Sequence, residues 1–202
     1  VADYALLIAR ELQFDFEQQN YVYQAGLLHD IGKLGIPEEI LNKPGRLNDQ
    51  EYSKIKTHAA LGAEFLETCQ GLRHLAGYVR YHHERWDGQG YPEGLAGEQI
   101  PLIARILNVC DSVEAMASDR PYHKGMSPEH IIEEVERQTG KQFDPEIAEI
   151  FIQIIEREGR QLITNTAHTV ARRTHALPQP KAPAQPGAEA PVRAPALEKL
   201  AL

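Results

Sequence analysis

Thiol is scarce in this sequence. Its two cysteines, Cys69 and Cys110, stand apart with no metal-like spacing. That excludes a thiolate zinc cage and a disulfide framework, and fits small buried hydrophobes in a reducing compartment. Long apolar runs are missing as well. No stretch reaches the ~20 residues of a membrane helix, and no basic start leads into an apolar middle as in a secretory leader. The expectation is a cytoplasmic domain that makes no membrane contact. Positive charge is in deficit: 21 Lys and Arg against 29 Asp and Glu give a net charge of −8. This argues against a nucleic-acid-binding surface, so an anionic ligand must be met by a few local cations or metal ions. The first residue is Val1 rather than Met, inside a helical pattern, and the chain reads as a piece of a longer protein.

The 202 residues, 42% of them hydrophobic, suffice for one domain with a real core. Residues 1–165 are globular in pattern. Residues 166–202 form a tail dominated, from Ala176 on, by Pro and Ala ("ALPQPKAPAQPGAEAPVRAP"), and are expected to be disordered because they cannot offset their ordering entropy by burial. Val1, Ala5, Ile8 and Leu12 keep helical spacing. Further helices are expected over 21–31, over 37–41, from Asn48 or Asp49 to about Cys69, from Leu72 to about Glu84, from Pro101 to about Ala117, over 128–138 behind a Ser127 cap, and from Pro145 to about Glu158. No alternating pattern long enough for a strand pairing is evident, so the class is all-α.

Six residues stand out against that background: His29, Asp30, His58, His82, His83 and Asp111. Singly each is more often an ordinary core histidine or salt-bridged acid than a ligand. Together they are four imidazoles and two carboxylates, most of them set among apolar neighbours such as Leu28, Ile55, Leu61, Val79, Val109 and Val113. Buried polar groups without partners are costly, and metal ions are natural partners for this donor set. Imidazole with carboxylate suits iron, manganese, nickel or zinc. Six ligands exceed what one ion with an open position uses. They suit two ions sharing a carboxylate, with Asp30 as the bridge.

The segments "LLHDIGKLGIPEEILNKPGRL", "HHERWDGQGYPEGLAGEQIPLIARILNVCDSVEAM" and "SDRPYHKGMSPE" closely resemble the HD-GYP domain, the cyclic di-GMP phosphodiesterase branch of the HD metal-dependent phosphohydrolases. The resemblance covers nearly all of the globular part. It implies a compact helical domain with a binuclear site in its core for two divalent ions, iron ahead of manganese, nickel or zinc. His29, Asp30, His58, His82, His83 and Asp111 would be the ligands, Asp30 and Lys33 the catalytic residues, and Lys33, Gly90, Tyr91, Pro92, Arg120 and Lys124 the substrate contacts. Two-metal hydrolysis of cyclic di-GMP to pGpG, and on to GMP, is the implied reaction. Implied partners are cyclic di-GMP, diguanylate cyclase (GGDEF) domains at the Gly-Tyr-Pro loop, a sensory or receiver domain upstream, and a second copy of the chain.

Two departures qualify the transfer. Relatives often carry a histidine or glutamate upstream of the first helix, before this chain starts. The family's Asp-x-x-Asp reads Asp111-Ser-Val-Glu114 here, which leaves a third metal in doubt. Two other readings remain: a catalytically weak module that binds cyclic di-GMP or a cyclase, and a phosphohydrolase acting on another nucleotide, such as a mixed cyclic dinucleotide.

Overall fold

The computed structural model describes residues 1–118 and 125–158. The expected substrate contacts Arg120 and Lys124, and the expected tail, lie outside the described residues. What is described is helical, with one isolated bridge between Thr139 and Phe143 and no named strand, as the all-α reading requires. None of the described helices is long and apolar enough to cross a membrane.

The helices run α1 (Ala2–Glu11), α2 (Phe16–Leu28), α3 (Glu38–Leu41), α4 (Asp49–Lys56), α5 (His58–Thr68), α6 (Ala76–Arg80), α7 (Leu102–Ala117), α8 (Pro128–Gln138) and α9 (Pro145–Glu158). Reciprocal caps start two of them. The Asp15 side chain accepts from the backbone of Gln18, whose own side chain accepts from Asp15, and Asn48 and Glu51 do the same before α4. The central element is α7. Its buried Ile106, Leu107, Val109, Cys110 and Val113 join a core with Ile8 of α1, Val22 of α2, Val79 of α6, Ile131 of α8, and Phe151 and Ile155 of α9.

The structure shortens or splits three expected helices, always at a ligand candidate. The helix expected over 21–31 ends at Leu28, with His29 as its cap, and a 3-10 turn follows over Ile31–Gly35. The one expected from 48 to 69 breaks at Thr57. In an unbroken helix the carbonyls of Lys54 and Ile55 would receive the backbone N–H groups of His58 and Ala59. Instead the Thr57 hydroxyl donates to Lys54 O at 2.7 Å and the His58 ring donates to Ile55 O at 2.8 Å. Side chains, together with the Thr57 N–H that turns back to Lys54 O at 3.2 Å, have displaced the ladder. The helix expected from 72 to 84 ends at Arg80, so His82 and His83 sit in the turn beyond it.

Two close approaches assemble these ends. A Cβ on Gly32 would lie 1.9 Å from His58 O and 2.4 Å from Gly62 N. The turn after His29 and Asp30 is thus seated directly on the backbone of α5, which only glycine permits. On the opposite side, buried Asp144 caps α9 through the Glu146 N–H and takes Arg105 of α7 at 2.5 Å. Asp144→Ala leaves that guanidinium, itself largely buried, without its partner. A loss of about 3–5 kcal/mol is expected, read by urea denaturation.

Candidate metal centre

Three histidines are aimed by one local device. His29 Nδ1 bonds Gly26 O at 2.8 Å, His58 Nδ1 bonds Ile55 O at 2.8 Å, and His82 Nδ1 bonds Val79 O at 2.6 Å. Each acceptor is a carbonyl three residues back, in the last turn of a helix, where carbonyls lack ladder partners. A carbonyl only accepts, so Nδ1 carries the proton and donates. In His58 and His82 the neutral ring then presents a bare lone pair at Nε2, the ligand-competent form, whereas His29 Nε2 faces Asp30 and Asp111 and must give up a proton to ligate. For His58 and His82 that Nε2 atom is buried and finds no hydrogen-bond partner. A metal ion fits both orphaned atoms.

The donors converge. The ligand atoms of His58, His82 and His83 lie within 4.8 Å of one another. His29 Nε2 is 3.4 Å from Asp30 Oδ2 and 3.6 Å from Asp111 Oδ1, and the rings of His29 and His82 meet edge to face at 5.4 Å. Asp30 reaches both groups, because its other oxygen, Oδ1, is 3.4 Å from His58 Nε2. All six residues singled out in the sequence are therefore brought together. His29, His58 and His82 form a buried floor with His83 half-buried beside them, and the carboxylates of Asp30 and Asp111 stay partly open to solvent.

Charge follows that layout. Burial lowers the pKa of His58, that of His82 well below its ordinary value, and that of His83 to about 4, so these rings stay neutral. At His29 burial works the same way, but Asp111 and Asp30 outweigh it and lift the pKa to about 10. For Asp30, burial is outweighed by His29 and Lys33, and its pKa falls. Asp111 is depressed too, with His29 again overcoming burial. Three neutral imidazoles stand beside two ionised carboxylates, whose charge His29 partly offsets. Lys33 offsets more of it, its ammonium donating to Asp30 Oδ2 at 2.6 Å.

A family model described as an HD domain matches residues 1–147. The chain belongs to the HD domain family. Among similar curated proteins, a cyclic di-GMP phosphodiesterase of Pseudomonas aeruginosa is 44% identical over 158 residues, covering 77% of this chain and 38% of that protein. One of Thermotoga maritima is 42% identical over 132 residues, covering 64% and 36%. A 3'3'-cGAMP-specific phosphodiesterase of Vibrio cholerae is 38% identical over 146 residues, covering 72% and 32%. The HD-GYP resemblance is borne out by these relatives, although the chain spans well under half their length. The crystal structure of a cyclic GMP-AMP-specific phosphodiesterase from V. cholerae superposes with a TM-score of 0.60 at 20% identity, over 81% of this chain and 47% of that one. That likeness speaks for the fold alone.

In this HD domain the Gly-Tyr-Pro loop is fastened beside the centre. Tyr91 stacks on His83 with ring centroids 4.8 Å apart and planes 28° apart. Burial first, then Tyr52, Asp111 and Asp30, raise the pKa of the Tyr91 phenol. Gly90 is again a packing requirement, since a Cβ there would sit 2.4 Å from Arg85 N and 2.5 Å from the Glu84 Cα. Pro92 is exposed at the tip. Sequence reasoning passed over Glu84. It is buried, and its Oε1 accepts the N–H groups of Glu93 and Gly94 at 2.7 and 3.0 Å. It passed over Asn108 too, whose amide donates to the carbonyls of His82 and Glu84. Glu84 adjoins the histidine pair in sequence, which was a usable signal. Asn108 lies one turn before Asp111 on α7 and gave none.

Proposed function

We propose that this HD domain hydrolyses cyclic di-GMP to pGpG or GMP in the cytoplasm, using two divalent ions, iron ahead of manganese, nickel or zinc. The observation that carries the reading is the pair of buried, unpartnered Nε2 atoms of His58 and His82, clustered with His83, with the Asp30 carboxylate 3.4 Å from the first of them. His29, His58, His82, His83, Asp30 and Asp111 would hold the ions, with Asp30 shared. The chemistry such ions supply is acidification of water and polarisation of a phosphodiester.

The chain's own groups do the rest. Helix-end carbonyls hold three rings by their Nδ1 atoms. The Lys33 side chain, partly exposed beside Asp30, supplies a cation to offset charge building on the phosphate. Tyr91, braced by His83, offers a ring for guanine or a hydroxyl for the ligand. Arg120 and Lys124 are assigned further phosphate contacts from the motif. A GGDEF partner at the loop, an upstream sensory or receiver domain, and a homodimer belong to the same reading, and a third ion is left unassigned.

The mixed cyclic dinucleotide is the second reading, favoured by the V. cholerae relative whose name specifies 3'3'-cGAMP. Purified, metal-loaded protein incubated with either dinucleotide, with products separated by chromatography, decides between them. Faster loss of cyclic di-GMP is expected. Tight binding without turnover, at verified metal content, would leave only the binding-module reading.

Arg120→Ala separates binding from the centre. Metal content should match the parent while affinity for cyclic di-GMP falls by about 1.5–3 kcal/mol, the range for a hydrogen bond to a charged group. Metal loss in this variant would make Arg120 structural instead.

A further inference from the structure

The mouth of the centre carries a cation that the motif reading did not use. Lys56 ends α4, two residues before His58, so the joint that sets the ligand also sets the lysine. Its ammonium lies 5.1 Å from the Tyr52 ring centroid and 5.6 Å from that of Tyr91. Tyr52, one turn earlier on the same helix, accounts for the first contact as an ordinary helix-surface pair. Tyr91 does not fit that account, because it arrives on the Gly-Tyr-Pro loop and already stacks on His83.

Several other cations have carboxylate partners. Arg80 is held by Glu93, Arg85 by Asp87, Lys33 by Asp30 and Lys43 by Glu51. Among the described residues, Lys56 has no carboxylate partner, and Tyr52 is half exposed. An unpaired ammonium between two aromatic rings, in a chain of net charge −8, is suited to an anion attached to a flat ring.

We propose that Lys56 and Tyr52, together with Tyr91, form the subsite for the half of a cyclic dinucleotide that is not being cut. Lys56 binds the second phosphate, and the exposed face of Tyr52 stacks a purine. This rests on the cyclic dinucleotide reading above and adds to it where the far side of the substrate lies. A cyclic dinucleotide carries two phosphates across one ring. With one at the carboxylates and histidines, the other needs a separate cation, and Lys56 stands at the rim to provide it.

The test compares cyclic di-GMP with bis(p-nitrophenyl) phosphate, which has one phosphate and no purine. In Lys56→Gln the ratio of the two kcat/KM values should fall about tenfold against cyclic di-GMP, mostly through KM, as for loss of one charge-assisted bond. Lys56→Arg should recover most of it. Tyr52→Ala should lower the same ratio, whereas Tyr52→Phe, which keeps the ring, should not. Melting temperatures check that each variant is folded, and the tyrosine pair serves if Lys56→Gln is not. Equal losses on both substrates, or no change on either, would overturn the subsite while leaving the hydrolase standing. A parent protein that cleaves the small diester but neither cyclic di-GMP nor 3'3'-cGAMP would overturn both.

Discussion

Asp30→Ala is expected to abolish hydrolysis and to remove most of both ions, whereas His58→Ala should mainly weaken one. Geometry sets the difference. Oδ1 and Oδ2 of Asp30 each lie 3.4 Å from a different imidazole, those of His58 and His29, so one deletion reaches both halves of the centre. It also strips Lys33 of its partner and leaves that ammonium beside histidines. The helices should still form, because no apolar core contact is touched. The metal-loaded melting temperature should nevertheless drop towards that of the metal-free parent. Each lost ion forfeits a stabilisation of about 2.7 kcal/mol at a hundredfold excess over Kd. Elemental analysis beside a turnover assay reads the outcome. A variant that kept two ions per chain and near-normal turnover would sink the shared-carboxylate centre.

Gly32→Ala should be nearly as damaging without altering any polar group. The added methyl would meet His58 O at 1.9 Å and Gly62 N at 2.4 Å. All of these are backbone atoms, so no side chain can swing aside. Either the 3-10 turn lifts off α5 or α5 itself shifts. The expected loss is about 3 kcal/mol, the upper end for overpacking, seen as a lower urea midpoint. The displacement also carries Asp30 away from His58, so metal content should fall in whatever protein still folds. Gly35→Ala is the control. Its nearest neighbour would be Leu61 Cδ1 at 3.0 Å, a side-chain end that can yield. A Gly32→Ala protein with unchanged stability and metal content would show that the tight seat is not needed.

The six ligand candidates and the helical class were legible because each rests on residue type and local period. Pro101, Ser127 and Pro145 announced α7, α8 and α9, and those helices stand where they were expected. The breaks were not legible. Helical periodicity runs straight through Thr57, and α4 ends where the Thr57 N–H and the Thr57 and His58 side chains take its last carbonyls. Gly32 stands just past the helix expected over 21–31, and its work is done against α5, a contact with no signature in its own neighbourhood. Asn108 and Lys56 escaped for the same reason, since each acts on a segment distant in sequence. Where a long motif stood in for such contacts, around Tyr91, the reading reached further than periodicity could.

The carbonyls that hold His29, His58 and His82 decide when the centre is built. A zinc finger spends metal-binding free energy on ordering its ligands, and without metal it stays unfolded. Here three rings are oriented by bonds to their own helices, so ordering them is part of folding the helical core. Because the fold itself aims these rings, metal affinity should not be reduced by an ordering entropy. Removing and restoring metal should therefore be reversible without passing through the unfolded state, and one ion can replace another with the backbone left in place.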